Sequence, residues 1–245
     1  MGCDRSSEQT RLDAFLARAG HGTRREVREL IRVGRVSLDG TVCRRAGEYL
    51  AGRTVCLDGE AVEARPDVLH LVLHKPIGVA CSHNIREAPI VDGLLPPEWS
   101  SVGLRMVGRL DRETSGLLIL TTDGALLHEL THPNRKVEKR YRVSFGGALP
   151  EDAVARCETG FRMGDDEVPT RPARLELDGP GQATICLREG RHRQVRRMFA
   201  CLGVKVKALH RDRVGGYDLP LELGPGEWRL LETEDLERLR ADSNL

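Results

Sequence analysis

The sequence predicts an α+β fold in two domains. Three observations carry this: an arginine-bearing helical pattern near the start, a polar segment with Pro66, and short apolar strand patterns with few helices from residue 70 onward. A chain of 245 residues also makes two domains the ordinary expectation. The expected layout is a tail over 1–10, a small helix-and-hairpin domain over 11–63, a linker over 64–69, and a larger domain over 70–245. The larger domain is expected to be built on a mixed, mainly antiparallel sheet.

Composition narrows the class. A hydrophobic fraction of 40% suffices for a core, and 31% charged residues mark a soluble chain. No apolar run approaches the roughly 18 residues a membrane span needs, and "MGCDRSSEQT" lacks the apolar stretch of a signal peptide. The seven cysteines are odd in number and form no C-x-x-C pair, so they read as free thiols of a reducing compartment. A cytoplasmic location and a monomer are expected. The net charge of +1 is unevenly spread: residues 188–213 hold nine Lys/Arg against two acids, and residues 214–245 hold eight acids against three Arg. Such a basic block suits an anionic partner.

In the first domain, "RLDAFLARAG" places Leu12, Phe15, Leu16 and Ala19 on one helical face and stops at Gly20. Thr23 and Glu26 have capping-box spacing and open a second helix, which Gly34 ends. On that helix Val27, Leu30 and Ile31 cluster on one side, while Arg24, Arg25, Arg28 and Arg32 fall within an arc of roughly 100° on the other. "RVSLDGTV" then predicts a hairpin turning at Asp39-Gly40. Ordinary helix faces interleave acids with bases for pairing. Here arginines dominate, which favours phosphate contacts and hence nucleic acid.

In the second domain, strands are expected at "HLVLHKP", "GLLILTT" (116–122), "YRVSF" (141–145), "PARLEL" (172–177) and "QATICLRE" (182–189). Pro150 leads a segment with Ala153, Val154 and Cys157 on one face. "RHRQVRRMFACLG" places Val195, Met198, Phe199 and Leu202 at helical spacing, with Arg193, Arg196 and Arg197 pointing away. "GLLILTT" is continuously apolar, as in a central strand buried on both sides. Asp111 stands at its entrance, between arginines and bounded by Gly108 and Gly116. A lone aspartate there is ordinarily a turn salt bridge. Held ionised against a low-dielectric wall, it is also what a nucleophile or charge stabiliser requires. Tyr141 lies in a basic stretch at a strand head and can stack on a base. The free N–H groups after Gly190 favour phosphate, and Arg196 could reach a buried acid. Together these residues outline a basic cleft holding a carboxylate and a tyrosine.

Two resemblances follow from these residues. "RLDAFLARAG", "TRREVRELIRVGRVSLDG" and "GRTVCLDGE" resemble the alpha-L RNA-binding motif, which implies binding of structured RNA. "HKPIGVACS", "VGRLDRETSGLLILTTDG", "HPNRKVEKRYRV" and "EGRHRQVRRMFACLG", in that order, resemble the ribosomal small-subunit type of pseudouridine synthase over nearly the whole chain. The resemblance implies isomerisation of a uridine to pseudouridine in 16S ribosomal RNA, within a partly assembled small subunit. It implies no metal and no organic cofactor. Asp111 matches the essential aspartate, acting either covalently or through a glycal-like intermediate. Tyr141 matches the tyrosine that stacks on uracil, Arg196 the arginine that pairs with the aspartate, and Leu209 a leucine of the pocket. RNA contacts are expected from Arg24, Arg25, Arg28, Arg32, Arg109, Arg191, Arg193, Gln194 and Arg197. His74 and Thr122 stand where asparagines are commoner, and both are expected near the pocket entrance.

Large-subunit (23S) ribosomal RNA is the alternative target. A non-catalytic ribosome-binding protein would not need Asp111, Tyr141 and Arg196 together. A methyltransferase would need a glycine-rich strand-to-helix loop, which "GG" at 146–147 and 215–216 does not supply. A zinc deaminase would need H-x-E and P-C-x-x-C, which are missing.

Overall fold

The computed structural model describes residues 10–63, 68–87, 89–99, 102–132, 135, 137–164 and 166–241. The expected tail, apart from Thr10, and linker positions 64–67 lie outside the described residues. Two compact units emerge. One comprises residues up to Val68 together with Leu95–Leu104, and the other Leu69–Leu94 with Arg105 onward.

In the first unit, helices α1 (Leu12–Arg18) and α2 (Arg24–Arg32) accompany strands β1 (Val36–Leu38), β2 (Thr41–Val42), β3 (Val55–Leu57) and β4 (Glu60–Ala61). The strands form an antiparallel sheet in the order β2-β1-β3-β4. The capping box is present: the Glu26 N–H donates to Thr23 Oγ1 at 3.3 Å, and the Thr23 N–H to Glu26 Oε2 at 2.7 Å. Asp39 and Gly40 both adopt positive φ, as the tight β1–β2 hairpin demands. Asp58-Gly59 repeats the device between β3 and β4. The predicted apolar faces meet in one core of Leu12, Phe15, Leu16, Val27 and Ile31 packed with Val36, Leu38, Leu50 and Val55.

The second unit contains β5 (His70–Lys75), β6 (Arg105–Val107), β7 (Thr114–Thr121), β8 (Lys139–Gly146), β9 (Arg174–Gly179), β10 (Gln182–Leu187), β11 (Lys205–Val214), β12 (Tyr217–Asp218) and β13 (Trp228–Leu230). Its helices are α3 (Gly124–Thr131), α4 (Ala153–Thr159), α5 (Gln194–Cys201) and α6 (Thr233–Arg240). The strand order is β13-β5-β7-β11-β8-β10-β9, with β6 beside β7 and β12 beside β11. Every pairing is antiparallel except β7 with β11, so the sheet is mixed and mainly antiparallel as expected.

The apolar run at 116–122 falls on β7, an interior strand that ends at Thr121, with Leu117, Leu118, Ile119 and Leu120 buried. One edge of β7 pairs with β5 over Gly116–Thr121. It also pairs with β11 at Thr114–Gly116 and with β6 at Ile119–Thr121. Two apolar groups pack on this sheet. Phe145, Ile185 and Leu209 meet α4 and α5 in one, and Val72, Leu117 and Val214 meet α3 and α6 in the other.

Candidate active site

The residues before β7 form a tight turn in which the Thr114 N–H donates to the Asp111 carbonyl at 3.0 Å. That turn is tied to the Pro76–Gly78 segment. The Gly78 N–H donates to the Arg112 carbonyl at 2.8 Å, and Arg112 Nε returns a bond to the Gly78 carbonyl at 2.8 Å. Beneath, the fully buried Lys75 gives its ammonium to the Pro76 and Val79 carbonyls at 2.8 and 2.7 Å. Burial pushes the Lys75 amine down, while the thiol of Cys81 and the charges of Asp111 and Glu113 oppose that shift. Asp111 is thus held on a backbone fixed from two sides.

Asp111 opens onto a cavity of about 510 Å³ within the second unit, at the size expected of a ligand site. Its walls join the two apolar groups: Val107, Leu130, Val137 and Val214 from one, Leu187, Val195 and Leu209 from the other. Tyr141, half-buried on β8, and Leu209, buried on β11, line it with Asp111, so three of the four predicted catalytic residues share one cavity. The Asp111 carboxylate makes no hydrogen bond or ion pair among the described residues.

Arg196 is the exception. It donates Nη2 to the Glu113 carbonyl at 2.9 Å and Nη1 to the Val206 carbonyl at 3.4 Å, and it does not line the cavity. The expected pairing with Asp111 is therefore replaced by a bond to the backbone two residues further on. A guanidinium committed to carbonyl oxygens braces the turn and is not turned onto the acid.

The residues expected to meet RNA divide in the same way. Arg24 and Arg25 are exposed on α2 and make no hydrogen bond or ion pair among the described residues, though the Arg24 charge acts on Asp13. Arg28 pairs with the buried Asp13 at 2.9 Å, and Arg32 with Glu29. Burial raises the Asp13 carboxyl, but hydrogen bonds from Arg11 and Arg28 outweigh it and hold the group below its ordinary value. Arg109 is exposed at the cavity, and Arg193, also on its wall, pairs with Glu113 at 3.3 Å. Arg193 caps α5 in the left-handed region at φ 50°, a conformation rare for a side chain of its size.

Three others hold a loop together. Arg191 bonds the Val168 and Pro169 carbonyls and pairs with Asp166 and Glu189 at 3.3 Å. Arg197 bonds the Met163 carbonyl and Asp166. Gln194 is buried, accepts from the Arg191 N–H at 2.9 Å and donates to Glu189. Their polar atoms are engaged within the loop, while Arg191 and Gln194 also line the cavity. His74 and Thr122 do not line the cavity: His74 Nδ1 bonds the Leu223 carbonyl at 2.7 Å, and Thr122 Oγ1 accepts from the Leu69 N–H at 2.9 Å.

Sequence reasoning missed Lys139 and Arg211. Both line the cavity. Lys139 Nζ donates to the Val137 carbonyl at 2.8 Å; burial, with the nearby Arg211 charge adding, pushes its amine down to about 8. Arg211 is 3% exposed and donates Nε to the Leu117 carbonyl at 2.9 Å. Its Nη2 and the hydroxyl of Thr114, another lining residue, are buried without a hydrogen-bond partner among the described residues. Each such group costs about 1–3 kcal/mol. Strand alternation carried through the head of β8 could have found Lys139, which lies two residues from Tyr141; Arg211 gave no such signal, because β11 was not among the expected strands.

Comparison with known proteins agrees with this architecture. The family described as RNA pseudouridylate synthase matches residues 69–201, and the S4 domain matches residues 10–50. The chain is 36% identical over 230 residues to the Ribosomal small subunit pseudouridine synthase A of Vibrio cholerae, spanning 92% of this chain and 97% of that protein. It is 35% identical over 229 residues to the protein of the same name from Escherichia coli K12, spanning 92% and 98%. A solved structure described as a pseudouridylate synthase superposes with a TM-score of 0.67 at 31% identity, covering 94% of this chain and 100% of that one.

Proposed function

This chain belongs to the RNA pseudouridylate synthase family, and we propose that it isomerises one uridine of small-subunit ribosomal RNA to pseudouridine with Asp111 as the reacting acid. The observation that carries the reading is the position of Asp111. Its carboxylate, unpaired among the described residues, borders a cavity of about 510 Å³ with Tyr141 and Leu209 on the same walls. Uracil flipped out of folded RNA would stack on the Tyr141 ring against the apolar Leu209 and Val195. Flipping costs a few kcal/mol, which phosphate contacts from Arg24, Arg25 and Arg109 would offset. The small-subunit target rests on relatives of that name at 35–36% identity over nearly their whole length.

The reaction needs the N1–C1′ bond broken, the base turned, and C5 joined to C1′. Asp111 serves either by attack on C1′ or by taking the 2′ hydrogen as a proton to leave a glycal. Neither route requires a metal or an organic cofactor. The proposed working form is a cytoplasmic monomer acting on a partly assembled small subunit.

Tritium release from RNA labelled at C5 of uridine tests the reading, because the new bond expels that hydrogen. Free and partly assembled small-subunit and large-subunit RNA are offered separately, beside Asp111→Asn. Release from small-subunit RNA, lost in the variant while its RNA binding stays intact, is the expected result. Release from large-subunit RNA would overturn the target, and no release from any RNA would overturn the enzyme.

A further inference from the structure

The cavity contains more positive charge than a neutral uracil calls for. Lys139 and Arg211 sit on adjoining strands β8 and β11, on the wall that also carries Tyr141 and Leu209. Arg211 is the less ordinary of the two. It is 3% exposed and fixed through Nε to the Leu117 carbonyl at 2.9 Å. Its terminal Nη2 is buried with no hydrogen-bond partner among the described residues. Gly116 lets β7 close on the Arg211 backbone, so this guanidinium is anchored at main chain and side chain alike. A buried charged donor held rigid and left unsatisfied is preorganised for charge that arrives during a reaction.

We propose that Arg211, supported by Lys139, is a catalytic residue that stabilises the negative charge taken up by the departing uracil. The inference rests on the pseudouridine synthase reading of the cavity. When the N1–C1′ bond breaks, its electron pair stays on N1, and the charge spreads over the two ring carbonyl oxygens. C1′ is meanwhile held as an ester of Asp111 or as the glycal. After the base turns, the C5 electron pair bonds C1′, either as the ester C1′–O bond returns its pair to Asp111 or as Asp111 returns its proton to C2′ of the glycal; the C5 proton then leaves to solvent, and N1 takes up a proton. The base is therefore anionic between the two bond changes, in either route. Donors that bind the anion more strongly than the neutral base lower that barrier, which is the condition for catalysis. The Arg211 guanidinium on the cavity wall meets it, because its charge gains most when the ring oxygens become negative.

The test separates charge stabilisation from a structural role by changing the base. Fluorine at C5 withdraws electrons, so 5-fluorouracil leaves as a more stable anion and needs less help. Wild type, Arg211→Met, Arg211→Lys and Lys139→Met are compared under single turnover on RNA transcribed with uridine or with 5-fluorouridine. Breakage of the N1–C1′ link is read by nucleoside mass spectrometry, and RNA affinity is measured beside it. Arg211→Met is expected to slow the uridine RNA by about 100-fold or more, with affinity unchanged. The loss should be much smaller on the fluorinated RNA, and Arg211→Lys should recover part of the rate. Equal losses on both RNAs, or no loss, would overturn the inference while wild-type turnover upheld the enzyme reading. Failure of the wild type on both RNAs would overturn the two together. Should Arg211→Met fail to fold, Lys139→Met, which leaves the Arg211 anchor in place, must show the same narrowing on the fluorinated RNA; equal losses there would sink the inference.

Discussion

Gly116 occupies a position where no side chain fits. Its φ is +114°, and a Cβ built there would lie 2.1 Å from the Arg211 carbonyl oxygen. Gly116→Ala therefore adds backbone strain to a main-chain clash and should cost about 4 kcal/mol, read as a lowered denaturation midpoint. Lys139 makes the opposite kind of statement, because it is tolerated at a cost that depends on pH. Its amine titrates at about 8, below the ordinary 10.5. Between these values the unfolded chain holds a proton that the native chain has shed. Stability should accordingly rise with pH across that window, and the contribution should vanish in Lys139→Met. Catalysis should run the other way, with the single-turnover rate falling as the pH passes about 8 and the cation is lost. A rate that holds steady to pH 9.5 would remove Lys139 from the chemistry.

At the level of elements, α5 shows how a helix can serve a site it barely touches. Val195, Met198 and Phe199 are buried beneath it, with the Phe199 ring 5.5 Å from that of Phe145. Its opposite face sends Arg196 to the Asp111 turn and Arg197 to the Asp166 loop. Phe199→Ala should cost about 3–5 kcal/mol in a denaturation experiment, and tritium release should fall further than RNA binding, because the mispositioned parts belong to the catalytic loop. Strand β11 was not legible in the sequence. Register shifts at Val206/Ala208 and Arg211/Arg213 interrupt its alternation, so "KVKALHRDRV" has no clean period of two. The buried β7 was legible because its apolar run is unbroken. The capping box and Asp39-Gly40 hairpin were legible because both are purely local devices.

For the molecule as a whole, the charge map is less one-sided than the residue counts imply. In the basic block 188–213, Arg191 and Arg197 meet Asp166 at close range, and Arg213 pairs with Asp218 at 2.8 Å. In the acidic end, Asp235 pairs with Arg229 at 3.0 Å and Glu129 takes Arg240 at 3.0 Å. The exposed Arg24 and Arg25 are left to contribute to long-range attraction. Replacing both with Gln should weaken RNA binding and reduce the slope of log affinity against log salt by about 1.5, measured by filter binding over a salt series. An unchanged slope would show that this face of α2 does not meet phosphate.

The α+β class, the apolar faces of the helices and the buried strand β7 can be read along the chain, and the candidates Asp111, Tyr141 and Leu209, named through the family's motifs, line one cavity. These follow from local periodicity, turn chemistry and contiguous motifs, all of which are written along the chain. Which arginines are free and which are committed depends on the folded chain. It turned Arg191, Gln194 and Arg197 inward, gave Arg196 to a carbonyl, and brought Lys139 and Arg211 to the wall beside Tyr141. The physical reason is that a guanidinium takes whichever acceptor the folded backbone brings within reach, and acceptors 22 to 83 residues away leave no trace in the local sequence.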